Sequence, residues 1–129
     1  MKPDQWEDEM FGVIEMLEKF ALIPRSEIVG MRAPFLQGGG DEMFQFLQNK
    51  NMLYDCSAPS QLFGMQNLDF GRWPHSLDYY TDTDCQIEPC PNCAYPGIWT
   101  QPMLDFEDGR HGGPGPTGGY PCSMTDTCQ

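Results

Sequence analysis

The sequence is poor in basic charge. Seven Lys and Arg stand against 19 Asp and Glu, a formal net charge of −12 over 129 residues. Phosphate backbones need a basic face, so a nucleic-acid partner is not expected, and an anionic membrane surface would repel the chain. Long apolar runs are also missing. No stretch approaches the roughly 18 residues that a membrane-crossing helix requires. Histidine is scarce, with only His75 and His111. A hydrolytic metal centre usually draws on two or three imidazoles, so no metal ligand is assigned within this chain. Nucleophile-elbow, phosphate-loop and His-Glu-x-x-His motifs do not occur.

Gly and Pro, by contrast, are abundant at 14 and 12 residues. About a fifth of the chain being Gly or Pro predicts long irregular connections. The apolar fraction of 40% and aromatic fraction of 12% exclude a disordered acidic tail. The length fits one domain. Five of six cysteines, Cys85, Cys90, Cys93, Cys122 and Cys128, fall late in the chain, and Cys56 stands apart. Clustered among Gly, Pro and Asp, they point to disulfides and an oxidising compartment, without fixing the connectivity. Cys90-Pro-Asn-Cys93 is a lone CxxC, where a zinc ribbon needs two such pairs. Met1-Lys2-Pro3-Asp4 runs straight into acidic sequence with no apolar leader. Secreted-type cysteines without a leader are reconciled if the chain is a piece of something longer.

Residues 5–21 read as an amphipathic helix, with Trp6, Met10, Val13, Ile14, Leu17 and Ala21 at helical spacing. Asp4 is the expected cap and Pro24 the stop. Residues 27–31 read as a strand, Gly38-Gly-Gly40 as a hinge, and Asp41 as the cap of a second helix to about Lys50. That helix carries Met43, Phe44 and Leu47 as its apolar stripe. Residues 52–55 read as a second strand. The α-β-α-β order predicts parallel β/α units. Residues 97–104 read as a strand that Pro102 weakens, as at an edge or a strand end. Residues 109–119 read as a surface loop. Arg32 and Asp55 then stand at the ends of two neighbouring strands, where β/α folds build their sites.

The segments Ile28-Val-Gly-Met-Arg-Ala-Pro-Phe-Leu36, Leu53-Tyr-Asp-Cys-Ser57, Trp73-Pro-His-Ser-Leu-Asp-Tyr79 and Tyr95-Pro-Gly-Ile-Trp-Thr-Gln-Pro-Met103 carry a resemblance. So do Gly38-Gly-Gly-Asp-Glu-Met-Phe44, Asp84-Cys-Gln-Ile-Glu-Pro-Cys-Pro91 and Cys122-Ser-Met-Thr-Asp-Thr-Cys128. In order and spacing they resemble the arthropod chitin deacetylases of the polysaccharide deacetylase (NodB-homology) family. The resemblance implies an α/β fold, part of a deformed (β/α) barrel with long disulfide-tied loops. It also implies a zinc-dependent hydrolase that removes N-acetyl groups from chitin outside the cell.

Of the five family motifs, only the third and fourth are matched. Arg32 corresponds to the arginine that holds the catalytic carboxylate, and the Phe35 N–H to an oxyanion donor. Asp55 corresponds to an Asp supporting the site, and Trp73 to the wall of the acetyl pocket. The Asp pair, the metal-binding His pair and the fifth-motif His have no counterpart. Residues 1–129 therefore read as a partial catalytic domain, inactive alone and without its own zinc, since a full barrel takes about 250 residues. His75 falls where relatives more often carry Tyr. The resemblance also pairs Cys85 with Cys90 and Cys122 with Cys128, leaving Cys56 and Cys93 joined or free. A competing reading is an acidic, cysteine-rich chitin-binding or matrix module that stacks sugars on Trp6, Trp73 and Trp99.

Overall fold

Helix formation begins from the apolar periodicity. In a computed structural model describing residues 3–60, 73–80, 88–104, 106–110, 112–113 and 119–122, helix α1 spans Pro3–Phe20. The side chain of Asp4, the expected cap, lies outside the description. The helix buries Trp6 and Ile14 and leaves Val13, Met16 and Phe20 exposed. It ends on Leu22, which adopts φ 54°: the Ala21 N–H donates to the Leu17 carbonyl at 3.1 Å and the Ile23 N–H to the same carbonyl at 3.2 Å. Helix α2, Gly40–Asn49, ends in a Schellman turn. There the Met52 N–H reaches the Leu47 carbonyl at 3.0 Å across Asn51, which has φ 55°. Met43, Phe44, Phe46 and Leu47 of α2 are buried. Together with Trp6, Met31, Met52, Leu77, Tyr95 and Ile98 they form one core. Each such fully buried large side chain contributes about 1.5–3 kcal/mol. Lys50 Nζ meets Glu7 at 2.8 Å and lies 4.8 Å from the Phe11 ring, tying the end of α2 to α1.

Four two-residue strands make the main sheet: β1 Gly30–Met31, β2 Tyr54–Asp55, β4 His75–Ser76 and β5 Trp99–Thr100. Their order is β1-β2-β5-β4. The first two pairings are parallel, as the α-β-α-β reading requires, and β4 adds antiparallel to β5. The class is α/β. Two further pairs stand apart: β3 (Pro59–Ser60) with β6 (Met103–Leu104), parallel, and β7 (Phe106–Glu107) with β8 (Pro121–Cys122), antiparallel.

Several local expectations change. A 3-10 turn at Arg25–Glu27 replaces the start of the first strand. The stretch 97–104 breaks at Pro102, because a residue without an N–H cannot continue the ladder. The break is the strand end that Pro102 predicts; β5 before it is an inner strand of the main sheet and not an edge, and β6 after it has another partner. Gly38-Gly-Gly40 is no hinge. A Cβ on Gly39 would fall 2.6 Å from the Trp6 ring, and Gly40 has φ 60° with the Pro89 and Cys90 carbonyls 3.2 Å from its Cβ position. Gly39 is the N-cap of α2, and Asp41 lies in the first turn instead. There Asp41 Oδ1 accepts from the Tyr95 hydroxyl at 2.6 Å and from the Asn92 N–H at 2.7 Å. The Tyr95 hydroxyl, first, holds the Asp41 carboxyl below its usual range. Burial, then the bond to Asp41, pushes the Tyr95 phenol well up. This loop therefore clamps onto the helix start. Trp6 is 5% exposed and cannot stack a sugar.

Candidate functional site

The carboxyl ends of β1 and β2 bring Arg32 and Asp55 together. Register pairs Met31 with Asp55, so Arg32 leaves the sheet beside that carboxylate. Asp55 is 1% exposed. A buried carboxylate needs donors, and Ser57 supplies two: its hydroxyl at 2.5 Å to Oδ1 and its N–H at 3.0 Å to Oδ2. The Ser57 oxygen in turn accepts the Ala33 N–H at 2.8 Å. One hydroxyl thus bridges the two strand ends. Burial pushes the Asp55 carboxyl above its usual range, while the Ser57 hydrogen bonds and then the Arg32 charge pull it back. Among the described residues no ion pair joins Arg32 to Asp55. The guanidinium contacts the Met103 sulfur, and its charge acts on Asp55 without direct contact. Cys56 is half-buried at the same point, and burial and the Asp55 charge raise its thiol.

Phe35 follows in a 3-10 turn, Pro34–Leu36, with φ 55° and ψ 21°, and Leu36 also has positive φ. Two non-glycine residues in the left-handed region are costly, at about 1–3 kcal/mol each. The turn holds through the Leu36 N–H to the Ala33 carbonyl and the Gln37 N–H to the Pro34 carbonyl. Among the described residues no hydrogen bond engages the Phe35 N–H, and the ring is 86% exposed. Trp73, 80% exposed, precedes β4 on the other side of the sheet order. The strands bring Arg32 and Asp55 to adjacent positions, and Trp73 stands near the far strand, β4.

Two residues that the sequence reading left out of the site share its sheet face. Register aligns Asp55 with Thr100 and Thr100 with His75. Partners in register point to one face, so Met31, Asp55, Thr100 and His75 form a row. Thr100 is 3% exposed. Its inward parity with Ile98 was the available signal. For Ser57 the signal was its place two residues after an Asp, the spacing of a side-chain-closed turn.

Cys56 and Cys93 are free thiols, and Cys90 is disulfide-bonded, which rules out a Cys90–Cys93 bridge in this structure. Cys85, Cys128 and the side chain of Cys122 lie outside the description, and so does the expected pairing of each. His111 does too. Among the described residues no three His, Cys, Asp or Glu side chains converge as a metal site would require. The described donor set therefore does not fit zinc. Among the same residues no helix is long and apolar enough to cross a membrane.

No family model matches the chain. Over 109 residues, 84% of its length, it is 38% identical to Chitin deacetylase 8 of Bombyx mori. Over 128 residues, 97% of its length, it is 27% identical to Chitin deacetylase 1 of the same organism. These matches cover 26% and 22% of the two relatives, so the chain spans about a quarter of the length of the curated proteins it matches. The chain is thus chitin deacetylase-like, related to these two Bombyx mori proteins over most of its own sequence.

Proposed function

We propose that the chain is one part of a chitin deacetylase catalytic domain, supplying groups that bind and orient the N-acetyl substrate. The juxtaposition of Arg32 with the buried Asp55–Ser57 pair, at the carboxyl ends of adjacent parallel strands, carries this reading. Hydrolysis of an acetamide builds negative charge on the carbonyl oxygen, and a backbone donor at that oxygen lowers the barrier. The Phe35 N–H, uncommitted within its own turn, has that role in this reading. Arg32 orients a carboxylate that takes a proton from water. Asp55 holds the Arg32 turn in place through Ser57 and Ala33. Trp73 walls the acetyl group.

Zinc, when bound, supplies carbonyl polarisation and water activation in this chemistry. The reading assigns its ligands to residues other than those described and routes no step of the described chain through it. It follows that the chain alone releases no acetate, that the complete domain closes into a (β/α) barrel, and that it works on chitin outside the cell. The test is a chimera. The 109 matched residues replace their counterpart in Bombyx mori Chitin deacetylase 8, and acetate release from chitotetraose is measured. Retained activity that Arg32→Ala reduces at least about a hundredfold, the scale of losing one transition-state group, supports the proposal. A folded chimera indifferent to Arg32→Ala and Asp55→Asn refutes it.

A further inference from the structure

His75 holds an atom that the fold leaves unexplained. Its Nδ1 lies 3.1 Å from the Trp73 carbonyl oxygen. A carbonyl only accepts, so in the neutral ring Nδ1 carries the hydrogen and Nε2 the lone pair. Nε2 is buried, and among the described residues nothing donates to it. An unpaired buried acceptor is expensive and calls for an explanation.

Its position supplies one. His75 ends the register row that starts at Met31 and passes through Asp55 and Thr100. Adjacent strands stand about 4.8 Å apart, which puts His75 roughly 10 Å from Asp55 along one sheet face. The same imidazole fixes the backbone of the exposed Trp73. One side chain therefore anchors an aromatic wall and offers a lone pair on the face that carries the buried carboxylate.

We propose that His75 is a substrate-binding and specificity-determining residue whose Nε2 accepts a hydrogen bond from a donor on a bound N-acetylated amino sugar. The inference rests on the deacetylase reading above and deepens it. The donor class is what such a sugar presents at its acetamido N–H. The Nδ1–H bond to Trp73 fixes the tautomer, so the site prefers donors over acceptors at this point. A Tyr at this position would present a hydroxyl, able to donate as well as accept, and so a different preference.

The experiment uses the 129-residue chain with 15N-labelled histidine. His111→Gln assigns the two imidazoles. Chitotetraose is titrated while the His75 Nε2 resonance and the binding isotherm are followed, with cellotetraose, which lacks acetamido groups, as the comparison. The free protein should show Nδ1 protonated and Nε2 bare, and chitotetraose should shift Nε2 at saturation. His75→Phe should weaken binding about tenfold, equivalent to about 1.4 kcal/mol. His75→Gln, which keeps an accepting oxygen, should stay within about threefold of the native chain. An Nε2 resonance unmoved at saturation overturns the inference even if His75→Phe does not fold. So does a folded His75→Phe chain that binds like the native one, or an equal Nε2 shift with cellotetraose. Failure of the native chain to bind chitotetraose at all overturns this inference, whereas the proposed function is decided by the chimera.

Discussion

Removing the Ser57 hydroxyl perturbs two partners at once. In Ser57→Ala the Ala33 N–H loses its acceptor at 2.8 Å, and Asp55 Oδ1 loses its donor at 2.5 Å. Asp55 keeps the Ser57 N–H at 3.0 Å. A hydrogen bond to a charged group is worth about 1.5–3 kcal/mol, and an orphaned buried N–H costs about 1–3 kcal/mol. The two losses share one atom and do not add fully, so a destabilisation of about 2–4 kcal/mol is expected. That is a large part of a typical stability of about 5–15 kcal/mol. The pH dependence carries a further signature. Burial sets the folded Asp55 carboxyl above its usual value of 3.8. The folded state therefore holds the proton more tightly than the unfolded state. The stability this confers is complete below pH 3.8 and is lost as pH rises through the raised folded value. Deleting the hydroxyl, which opposes the shift, should raise that value further and widen the window of loss. Urea melts of Ser57→Ala and Ser57→Thr, followed by tryptophan fluorescence across pH 3 to 8, test this. Thr should recover most of the stability. A Ser57→Ala chain within about 0.5 kcal/mol of native, with an unchanged pH profile, would refute the bridge as the link between the strand ends.

Other perturbations follow from the same geometry. Gly30→Ala puts a Cβ 2.2 Å from the Tyr54 ring and should destabilise by about 1–3 kcal/mol, with partial recovery in Gly30→Ala/Tyr54→Ala, as denaturant midpoints would report. Tyr95→Phe removes the largest cause of the low Asp41 carboxyl, so the stability that Asp41 contributes above pH 3.8 and loses as pH falls through its folded value should be smaller, and its loss complete at a higher pH, than in the native chain; acid titration by circular dichroism checks this. Val13, Met16, Phe20 and Leu22 are exposed on and just after α1, so the isolated chain should bind a hydrophobic dye at low salt, and Phe20→Ser/Leu22→Ser should cut that fluorescence by about half or more.

The two helices and the parallel core of the sheet were legible because each rests on a repeating local signal. The 3.6-residue spacing of Trp6, Met10 and Ile14, and that of Met43, Phe44 and Leu47, survived folding with ends shifted by a residue or two. β4 was not legible. His75 and Ser76 form a two-residue strand whose place is decided by Trp99 and Thr100, far along the chain. The Gly38–40 error has the same root. Three glycines signal freedom locally, but Trp6 and Pro89, distant in sequence, close on the positions that side chains of Gly39 and Gly40 would take, and only Gly38 faces open space. Of the site, Arg32 and Asp55 were visible as polar residues at strand ends. Ser57 and Thr100 carry only weak local signals, the Asp-x-Ser spacing and the parity with Ile98, and His75 enters through register alone.

The clamp at the start of α2 also sets a timetable. Asp41 is held by Asn92 and Tyr95, and the Gln37 side chain donates to the Glu88 carbonyl at 2.8 Å, bonds that span 51 to 54 positions of sequence. A ribosome that has just made Lys50 still has to add the residues up to Tyr95. At about 5–20 residues per second, that takes on the order of 2–9 s. Through that interval the nascent α2 waits with its first turn unclasped and Phe44 without the Tyr95 ring that later stacks on it at 5.4 Å. The segment up to Lys50 cannot finish folding as it emerges, and its exposure to chaperones and proteases is governed by the speed of translation as well as by its own stability.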